Sequence, residues 1–296
     1  MGQLTLQPRH TIPMSPARTL VLTALAMTAF AGNSLLCRLA LKNTVIDAAS
    51  FTAIRMVSGA LVLWLVTRQF RPSQPGKGNW LSALALFAYA AAFSFAYVSL
   101  PTGTGALLLF GAVQATMIGY GIWSGERLRA LQLAGLALAL GGLLGLLLPG
   151  VSAPPLAGSA LMIVAGAAWG IFSLRGKGTG DPTRVTAGNF LRAAPLAIAL
   201  SLCVFLVKGA SLDAAGFCYA VASGAVTSGI GYAIWYTALP ALKATTAATV
   251  QLSVPVIAAL GGIAFLGEPV TLRLLLASSA ILGGIALVLL QKRAGP

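Results

Sequence analysis

The chain has 296 residues, of which 58% are hydrophobic and only 8% are charged. Because soluble domains carry roughly 25% charged residues, this composition excludes an ordinary water-soluble globular protein. The formal net charge of +14 would favour a nucleic-acid partner in a soluble protein. Here the basic residues lie between apolar segments, where they set membrane topology, and we expect no nucleic-acid partner. The three cysteines lack metal-ligand spacing, so we expect neither a metal nor a cofactor.

Ten apolar segments follow one another along the chain, each near the length of about 20 residues that spans a bilayer core. Residues 1–17 are polar and are expected to form a disordered cytoplasmic arm, with a linker loop at 149–155 and a cytoplasmic tail at 291–296. The segments are 18–41, 48–67, 80–100, 103–123, 130–148, 156–174, 185–207, 214–238, 244–266 and 271–290. All ten are predicted to be helices, because a membrane span must satisfy its own backbone hydrogen bonds.

One pattern occurs twice in the chain. A Leu-Pro pair begins an apolar segment and a Gly-Glu pair follows its end. The two copies run from Pro101 to Glu126 and from Pro240 to Glu268. The pattern predicts a tandem duplication, with a first repeat at 18–148 and a second at 156–290. Five helices per repeat is an odd number, so the second repeat must enter the membrane from the opposite side. Inverted repeats of this kind surround a central site in many secondary transporters.

The basic residues between the segments are unevenly distributed. They concentrate on the side of the membrane that holds the N-terminus, whereas the opposite side carries Lys42, Lys208 and Arg273. The positive-inside rule therefore predicts that both termini are cytoplasmic. The stretch 29–31 resembles a signal-peptidase site, but we expect the first segment to be retained, because it has a counterpart in the second repeat.

Charged groups inside the predicted helices are few. All five acidic residues lie at helix ends or in loops, and the single histidine, His10, lies in the arm. Because intramembrane carboxylates and histidines are the usual proton relays, we expect transport without a proton gradient. Arg55 and Arg192 lie within helices, where both pairing with a helix end and contact with a substrate carboxylate are open. A gating or structural role is assigned to Arg38, Arg55, Arg192, Glu126, Glu268, Pro101, Pro240 and Pro255.

The candidate binding surface is aromatic. Tyr89, Phe93 and Tyr97 are spaced four residues apart on the third helix and therefore share one face. Such a stripe usually only packs, but a buried tyrosine hydroxyl needs a hydrogen-bond partner, which a cavity would supply. Amides and indoles at mid-helix depth suit the same cavity. The predicted substrate-binding residues are Asn33, Tyr89, Phe93, Tyr97, Gln114, Trp169, Asn189, Tyr232, Trp235 and Gln251.

These motifs resemble those of a known group of transporters. The stretches 31–38 and 51–55, the repeated Leu-Pro and Gly-Glu pairs, and Pro255 are similar to the ten-helix EamA type of the drug/metabolite transporter superfamily. The resemblance implies ten helices around a central cavity, alternating access, and export out of the cytoplasm across the bacterial inner membrane. Within the superfamily the chain is similar to exporters of amino acids, including the YddG-like aromatic amino acid exporters.

The sequence therefore predicts an all-α membrane transporter, and not an enzyme, that exports small metabolites. Amino acids, aromatic ones included, are the first candidates. Two alternatives stay open: an exporter of drugs or cationic metabolites, and a membrane assembly or structural subunit. The expected partners are a small-molecule substrate and the lipid bilayer. Gly141 and Gly145 on the fifth helix, and Ser279 and Gly283 on the tenth, have small-xxx-small spacing, which favours scaffold contacts or a homodimer through these helices.

Overall fold

The structure, a computed structural model, describes residues 14–69, 76–125, 127–150, 153–176, 180–209, 211–242 and 244–291. Over these residues the chain is helical, without strands. In the same part of the chain, nine helices are long and apolar enough to cross a membrane. Of the predicted features, Glu126, the arm up to residue 13 and the tail from residue 292 lie outside the described residues.

We number the helices α1 to α10 in chain order. Their bounds are α1 Pro16–Asn43, α2 Ala48–Gln69, α3 Trp80–Tyr97, α4 Thr102–Trp123, α5 Ala130–Leu147, α6 Leu156–Arg175, α7 Pro182–Lys208, α8 Ala214–Ala241, α9 Ala244–Gln251 continued by Ser253–Leu266, and α10 Leu272–Gln291. Helix α1 begins at Pro16, inside the predicted arm, because proline fits the first position of a helix. Ser15 caps this end by accepting a hydrogen bond from the Arg18 N–H at 3.3 Å.

Helix α9 is interrupted at Leu252, so the predicted segment 244–266 forms two shorter helices. The cause is Pro255, three residues further on. Proline has no N–H to donate to the carbonyl four residues earlier, which is that of Gln251, and its ring crowds that carbonyl. The break places Gln251 at the end of a helical piece, facing the interior of the bundle.

Helix α8 contains a π-helical stretch, Ala222–Ile230, in which hydrogen bonds run from i to i+5 and widen each turn. Gly224 in this stretch crosses α2 closely, because a Cβ atom there would meet the Ser58 hydroxyl and the Arg55 carbonyl. The close crossing brings the polar side chains of this part of α8 to the centre of the bundle.

Aspartates stabilise the starts of three helices. Each accepts a backbone hydrogen bond of 2.8–3.2 Å from the first turn of the helix that follows it, which satisfies an otherwise unpaired N–H and suits the positive end of the helix dipole. The three are Asp47 before α2, Asp181 before α7 and Asp213 before α8. These carboxylates therefore lie at helix ends, as the sequence predicts, and not in the interior.

The packing of the helices joins the two halves of the chain throughout. Helices α2 and α7 pack together, as do α4 and α9, and α5 and α10. Helix α3 contacts α6 and α7, and α8 contacts α1 and α2. Helix α6 also packs on α4, and α9 on α1. The centre of the molecule is therefore formed by helices of both halves.

Helices α5 and α10 pack closely against each other through their small residues. A Cβ atom at Gly135 would meet the carbonyl of Gly284, and one at Gly142 would meet the Ala280 side chain. These glycines therefore allow close approach within one chain. By contrast, a Cβ atom at Gly141 would find open space.

The outer surface of the bundle is apolar. Large side chains such as Leu206, Val207 and Phe265 are more than 70% exposed, which would be costly in water and is expected against lipid. Trp80 and Trp123, exposed at helix ends, lie where aromatic residues anchor spans at the membrane interface. The chain is a multi-pass membrane protein.

Candidate functional site

A small cavity lies inside the bundle, near the middles of α1, α3 and α8. Its volume is about 40 Å³, room for about three or four water molecules, since one needs roughly 10–15 Å³. Side chains from α1, α2, α3, α4, α6, α8 and α9 surround it. The lining residues are Phe30, Asn33, Ser34, Arg55, Tyr89, Phe93, Leu109, Phe110, Trp169, Thr227, Ser228, Tyr232 and Gln251.

Aromatic rings form one wall of the cavity. Trp169 of α6 lies between Tyr89 of α3, with ring centroids 4.8 Å apart, and Tyr232 of α8, at 5.6 Å and nearly parallel. Phe30 of α1 contacts Tyr232 at 5.5 Å. Offset and tilted rings at these separations attract each other. The wall therefore joins helices of both halves through flat, polarisable surfaces.

A chain of hydrogen bonds forms the polar wall. Ser223 of α8 donates to Asn33 Oδ1 at 2.7 Å, and Asn33 Nδ2 donates to the Tyr89 hydroxyl oxygen at 3.3 Å. Arg55 Nη2 donates to the same hydroxyl oxygen at 3.1 Å. A tyrosine oxygen has two acceptor positions and one proton to donate, so these two bonds leave the Tyr89 proton available.

Arg55 is 2% exposed, yet it has no carboxylate beside it among the described residues. Its guanidinium lies over the rings of Tyr89 and Phe93, with Cζ 5.2 and 4.9 Å from the ring centroids, which is cation–π geometry. Its Nε and Nη1 are buried and have no hydrogen-bond partner in the described structure. A charged group kept in this state is destabilised unless water or a ligand bonds to it.

At the end of the bundle where α1 finishes, Glu268 ties α9 to α1 and α4. Its carboxylate accepts from the Thr102 N–H at 2.8 and 2.9 Å and from the Thr102 hydroxyl at 3.1 Å, and it lies 3.7 Å from Arg38 Nε. Arg38 also donates to the Tyr97 carbonyl at 2.8 Å. We call Arg38, Glu268 and Thr102 the latch.

The backbone conformation at residue 267 explains why a glycine precedes Glu268. Gly267 ends α9 in the left-handed region, with φ of 62°, where glycine is favoured. The chain then turns back, so that the Glu268 N–H donates to the Gly262 carbonyl at 3.1 Å and the carboxylate reaches α4. Gly125 follows the end of α4 with φ of 92°, so the glycine of each Gly-Glu pair has a positive φ just after a helix.

At the opposite end of the bundle, α3 begins against α6 and α7. Asn189 Oδ1 accepts from the Asn79 N–H at 2.8 Å, and Arg192 Nη1 donates to the Lys77 carbonyl at 2.7 Å. Arg175 Nε donates to the Ser82 hydroxyl at 3.3 Å. These bonds hold the start of α3 and involve no ion pair between the residues described.

Comparison with known proteins gives the family. The sequence profile of the EamA-like transporter family matches residues 156–290. The chain is 60% identical over 277 residues to the uncharacterized protein PA1977 of Pseudomonas aeruginosa, and the match covers 93% of this chain and 96% of that protein. The chain belongs to the EamA-like transporter family. The resemblance to the EamA type of transporter is thereby confirmed, and the family is one of transporters and not of enzymes.

A solved crystal structure of another protein has the same fold as this EamA-like transporter. Its TM-score is 0.63 at 21% sequence identity, and the match covers 95% of this chain and 100% of that chain. At this identity the likeness concerns the fold alone.

Six of the ten residues predicted to bind substrate line the cavity of this EamA-like transporter: Asn33, Tyr89, Phe93, Trp169, Tyr232 and Gln251. Their role in binding stays a prediction. The other four lie elsewhere. Tyr97 donates to the Thr102 carbonyl at 3.2 Å, and Asn189 holds the start of α3. Gln114 lines a separate narrow crevice beside α5 and α10, and Trp235 packs edge-on against Phe30 at 6.2 Å.

Arg55, for which the sequence predicts a gating or structural role, lies in the cavity wall, and that role stays a prediction. Arg192 of α7 bonds to the backbone carbonyls of Lys77 and Gly188. The cavity also includes residues outside the predicted set. Phe30 and Ser34 share a helical face with Asn33 and could have been found by that spacing. Thr227 and Ser228 both face the cavity because the wider turns of α8 change the spacing there.

Proposed function

We propose that this membrane transporter exports small organic metabolites across the bacterial inner membrane, with amino acids, aromatic ones included, as the first substrate class. The observation that carries the proposal is the cavity, which lies between helices of both halves and is lined by both aromatic rings and hydrogen-bonding groups. Such lining fits a small organic molecule with a flat apolar part and a polar end. A bare inorganic ion would need a ring of carbonyls or charges.

The proposal includes ten spans in two inverted five-helix repeats, which the packing supports. If α1 to α5 correspond in order to α6 to α10, the contact of α3 with α6 corresponds to that of α8 with α1. Similarly, α3 with α7 corresponds to α8 with α2, and α4 with α6 to α9 with α1. All of these contacts are present, and those of α2 with α7, α4 with α9 and α5 with α10 correspond to themselves. The family profile also matches the second predicted repeat.

Alternating access follows from this arrangement. With cytoplasmic termini, α1 ends at the outer surface, so the latch of Arg38, Glu268 and Thr102 closes the outer end of the cavity. The cavity is too small for an amino acid, so binding must widen it, and the interrupted α9 is the element suited to move. Helix α4 has no proline in its interior, so the two ends need not open by the same movement.

An exporter of drugs or cationic metabolites is the second candidate, because aromatic rings can bind cations. The cavity lining contains Arg55 and no described acidic residue, and this positive charge would repel a cation. An assembly subunit, with α5 and α10 as a dimer surface, is the candidate from another class. Gly135, Gly142 and Gly284 already serve contacts within the chain, which leaves less of that surface for a second copy.

The proposal is tested with purified protein in liposomes. Counterflow with a mixture of metabolites should show facilitated uptake of at least one amino acid. Uptake equal to that of empty vesicles for all natural amino acids would remove this substrate class, and a competition panel against quaternary amines would test the cationic alternative. Loss of uptake in Tyr232→Ala protein of unchanged thermal stability would exclude a purely structural subunit.

A further inference from the structure

Arg55 carries the only charge among the described residues of the cavity lining. A guanidinium has five N–H donors, and here the structure assigns one bond, from Nη2 to the Tyr89 hydroxyl. The Nε and Nη1 atoms are buried without partners among the described residues. The group lies over the rings of Tyr89 and Phe93, but its unpaired N–H groups can be satisfied only by an acceptor.

The neighbouring polar groups add donors to the same place. Because the Tyr89 oxygen already accepts from Asn33 and Arg55, its proton remains free to donate. The Asn33 carbonyl oxygen is used by Ser223. At Asn33, Tyr89 and Arg55 the free hydrogen-bonding positions are therefore mainly donors, which suits a ligand group that carries acceptors and a negative charge.

Within the described chain, no acidic side chain is available to neutralise Arg55. Asp47, Asp181 and Asp213 each accept from the helix that they precede, and Glu268 is engaged by Thr102 and Arg38. None of the acidic residues that the structure describes supplies the compensating negative charge.

We propose that Arg55 and the Tyr89 hydroxyl bind the carboxylate of the transported molecule, and that its flat part lies against Trp169 and Tyr232. This inference rests on the proposed transport function and names the chemical group that the cavity selects. The carboxylate is the required group, and a substrate ammonium is dispensable. The substrate class is aromatic carboxylates, of which aromatic amino acids are one case.

The test compares three probes with the same ring: 3-phenylpropionate, L-phenylalanine and phenethylamine. Binding to the purified full-length protein is measured by isothermal titration, and transport by counterflow in liposomes. The wild-type protein should bind the two carboxylates and not the amine. Arg55→Gln should weaken 3-phenylpropionate binding by about 10- to 100-fold, the loss expected for hydrogen bonds to a charged group. Arg55→Lys keeps the charge but not the planar fork of donors, so its affinity for 3-phenylpropionate should lie between those of the wild-type protein and Arg55→Gln.

Arg68→Gln is the matched control. Arg68 is on the same helix, stacks on Trp64 at 4.0 Å from the ring centroid, and lies outside the cavity, so its substitution should leave binding unchanged. Arg55→Gln removes an unpaired buried charge and should fold with an undiminished melting temperature. A lower melting temperature together with an unchanged preference for carboxylates would show that Arg55 is structural.

The outcomes separate this inference from the proposed function. If counterflow of mixed metabolites succeeds while phenethylamine competes as well as 3-phenylpropionate, the carboxylate site is wrong and transport stands. If none of the three probes binds, the aromatic carboxylate class is wrong, and the metabolite screen decides the transport function by itself.

Discussion

Neutralising Glu268 should open the outer end of the cavity. The side chain of Glu268 is 9% exposed, and its carboxylate accepts from both the backbone N–H and the hydroxyl of Thr102, with Arg38 3.7 Å away. In Glu268→Gln the amide oxygen can still accept from both the N–H and the hydroxyl of Thr102, but the charge is lost. Charge-assisted hydrogen bonds are about twice as strong as neutral ones, and each contributes roughly 1.5–3 kcal/mol.

Halving the strength of two such hydrogen bonds destabilises the closed arrangement of the latch by about 2 kcal/mol. The opened state contains none of these bonds, so the equilibrium should shift towards it by about 30-fold. Thr102 begins α4 and Glu268 follows α9, so the shift corresponds to separation of these two helices at the latch.

The native thiol of Cys37 reports this movement. Cys37 is 0% exposed and lies on α1 between Ser34 of the cavity and Arg38 of the latch. In a background with Cys203 and Cys218 changed to serine, a membrane-impermeant thiol reagent is added outside right-side-out vesicles. Cys37 should be labelled about 30-fold faster in Glu268→Gln than in the parent, following the shift in the equilibrium.

Asp213→Asn provides the control. This substitution also removes a negative charge at the start of a helix, but among the described residues Asp213 bonds only to the helix that follows it, whereas Glu268 joins two helices. Its labelling rate should equal that of the parent. Equal rates of Cys37 labelling in the Glu268→Gln protein and the parent would refute the assignment of the latch as the outer closure.

Three further predictions concern the cavity and the helix crossings. Tyr232→Ala should abolish counterflow, because Tyr232 contacts both Trp169 and Phe30; full activity would show that the aromatic wall does not bind substrate. Uptake should proceed equally with and without an imposed pH step, since no described acidic side chain lines the cavity; strict dependence on the step would contradict this. Gly224→Val should destabilise the protein by about 1–3 kcal/mol, because the larger side chain would overpack against α2. Thermal unfolding measures the effect, with Gly141→Ala as the control, because a Cβ atom at Gly141 has open space. Equal melting temperatures for the two variants would refute the close crossing of α8 and α2.

Helix positions and the aromatic face could be read from the sequence because hydrophobic length and the four-residue spacing are local properties. Tyr97 shows the limit of this reasoning. It continues the face of Tyr89 and Phe93, but at the end of α3 its ring packs over Gly105 and its hydroxyl reaches the Thr102 carbonyl. Which part of a helical face meets the cavity depends on where other helices cross it, and spacing does not contain that information.

Arg55 and Arg192 illustrate the same limit for charges. Both lie within predicted helices and look alike in the sequence. Arg55 lies among rings without an acidic partner in the described part of the chain, and Arg192 bonds to the carbonyls of Lys77 and Gly188. The difference arises from the neighbours that each helix meets. The break in α9 could have been placed near Gln251 from Pro255 alone, whereas no residue type predicts the π-helical turns of α8.

The isolated cation of Arg55 has an electrical consequence. A unit charge that crosses the whole membrane field changes in energy by about 2.3 kcal/mol per 100 mV, and a fixed cation feels part of this when the helices around it move. A bound monoanion cancels it. Voltage should therefore act on the return of the unloaded carrier and leave the loaded step almost unaffected, so that currents recorded without substrate would reveal the motion of the protein itself.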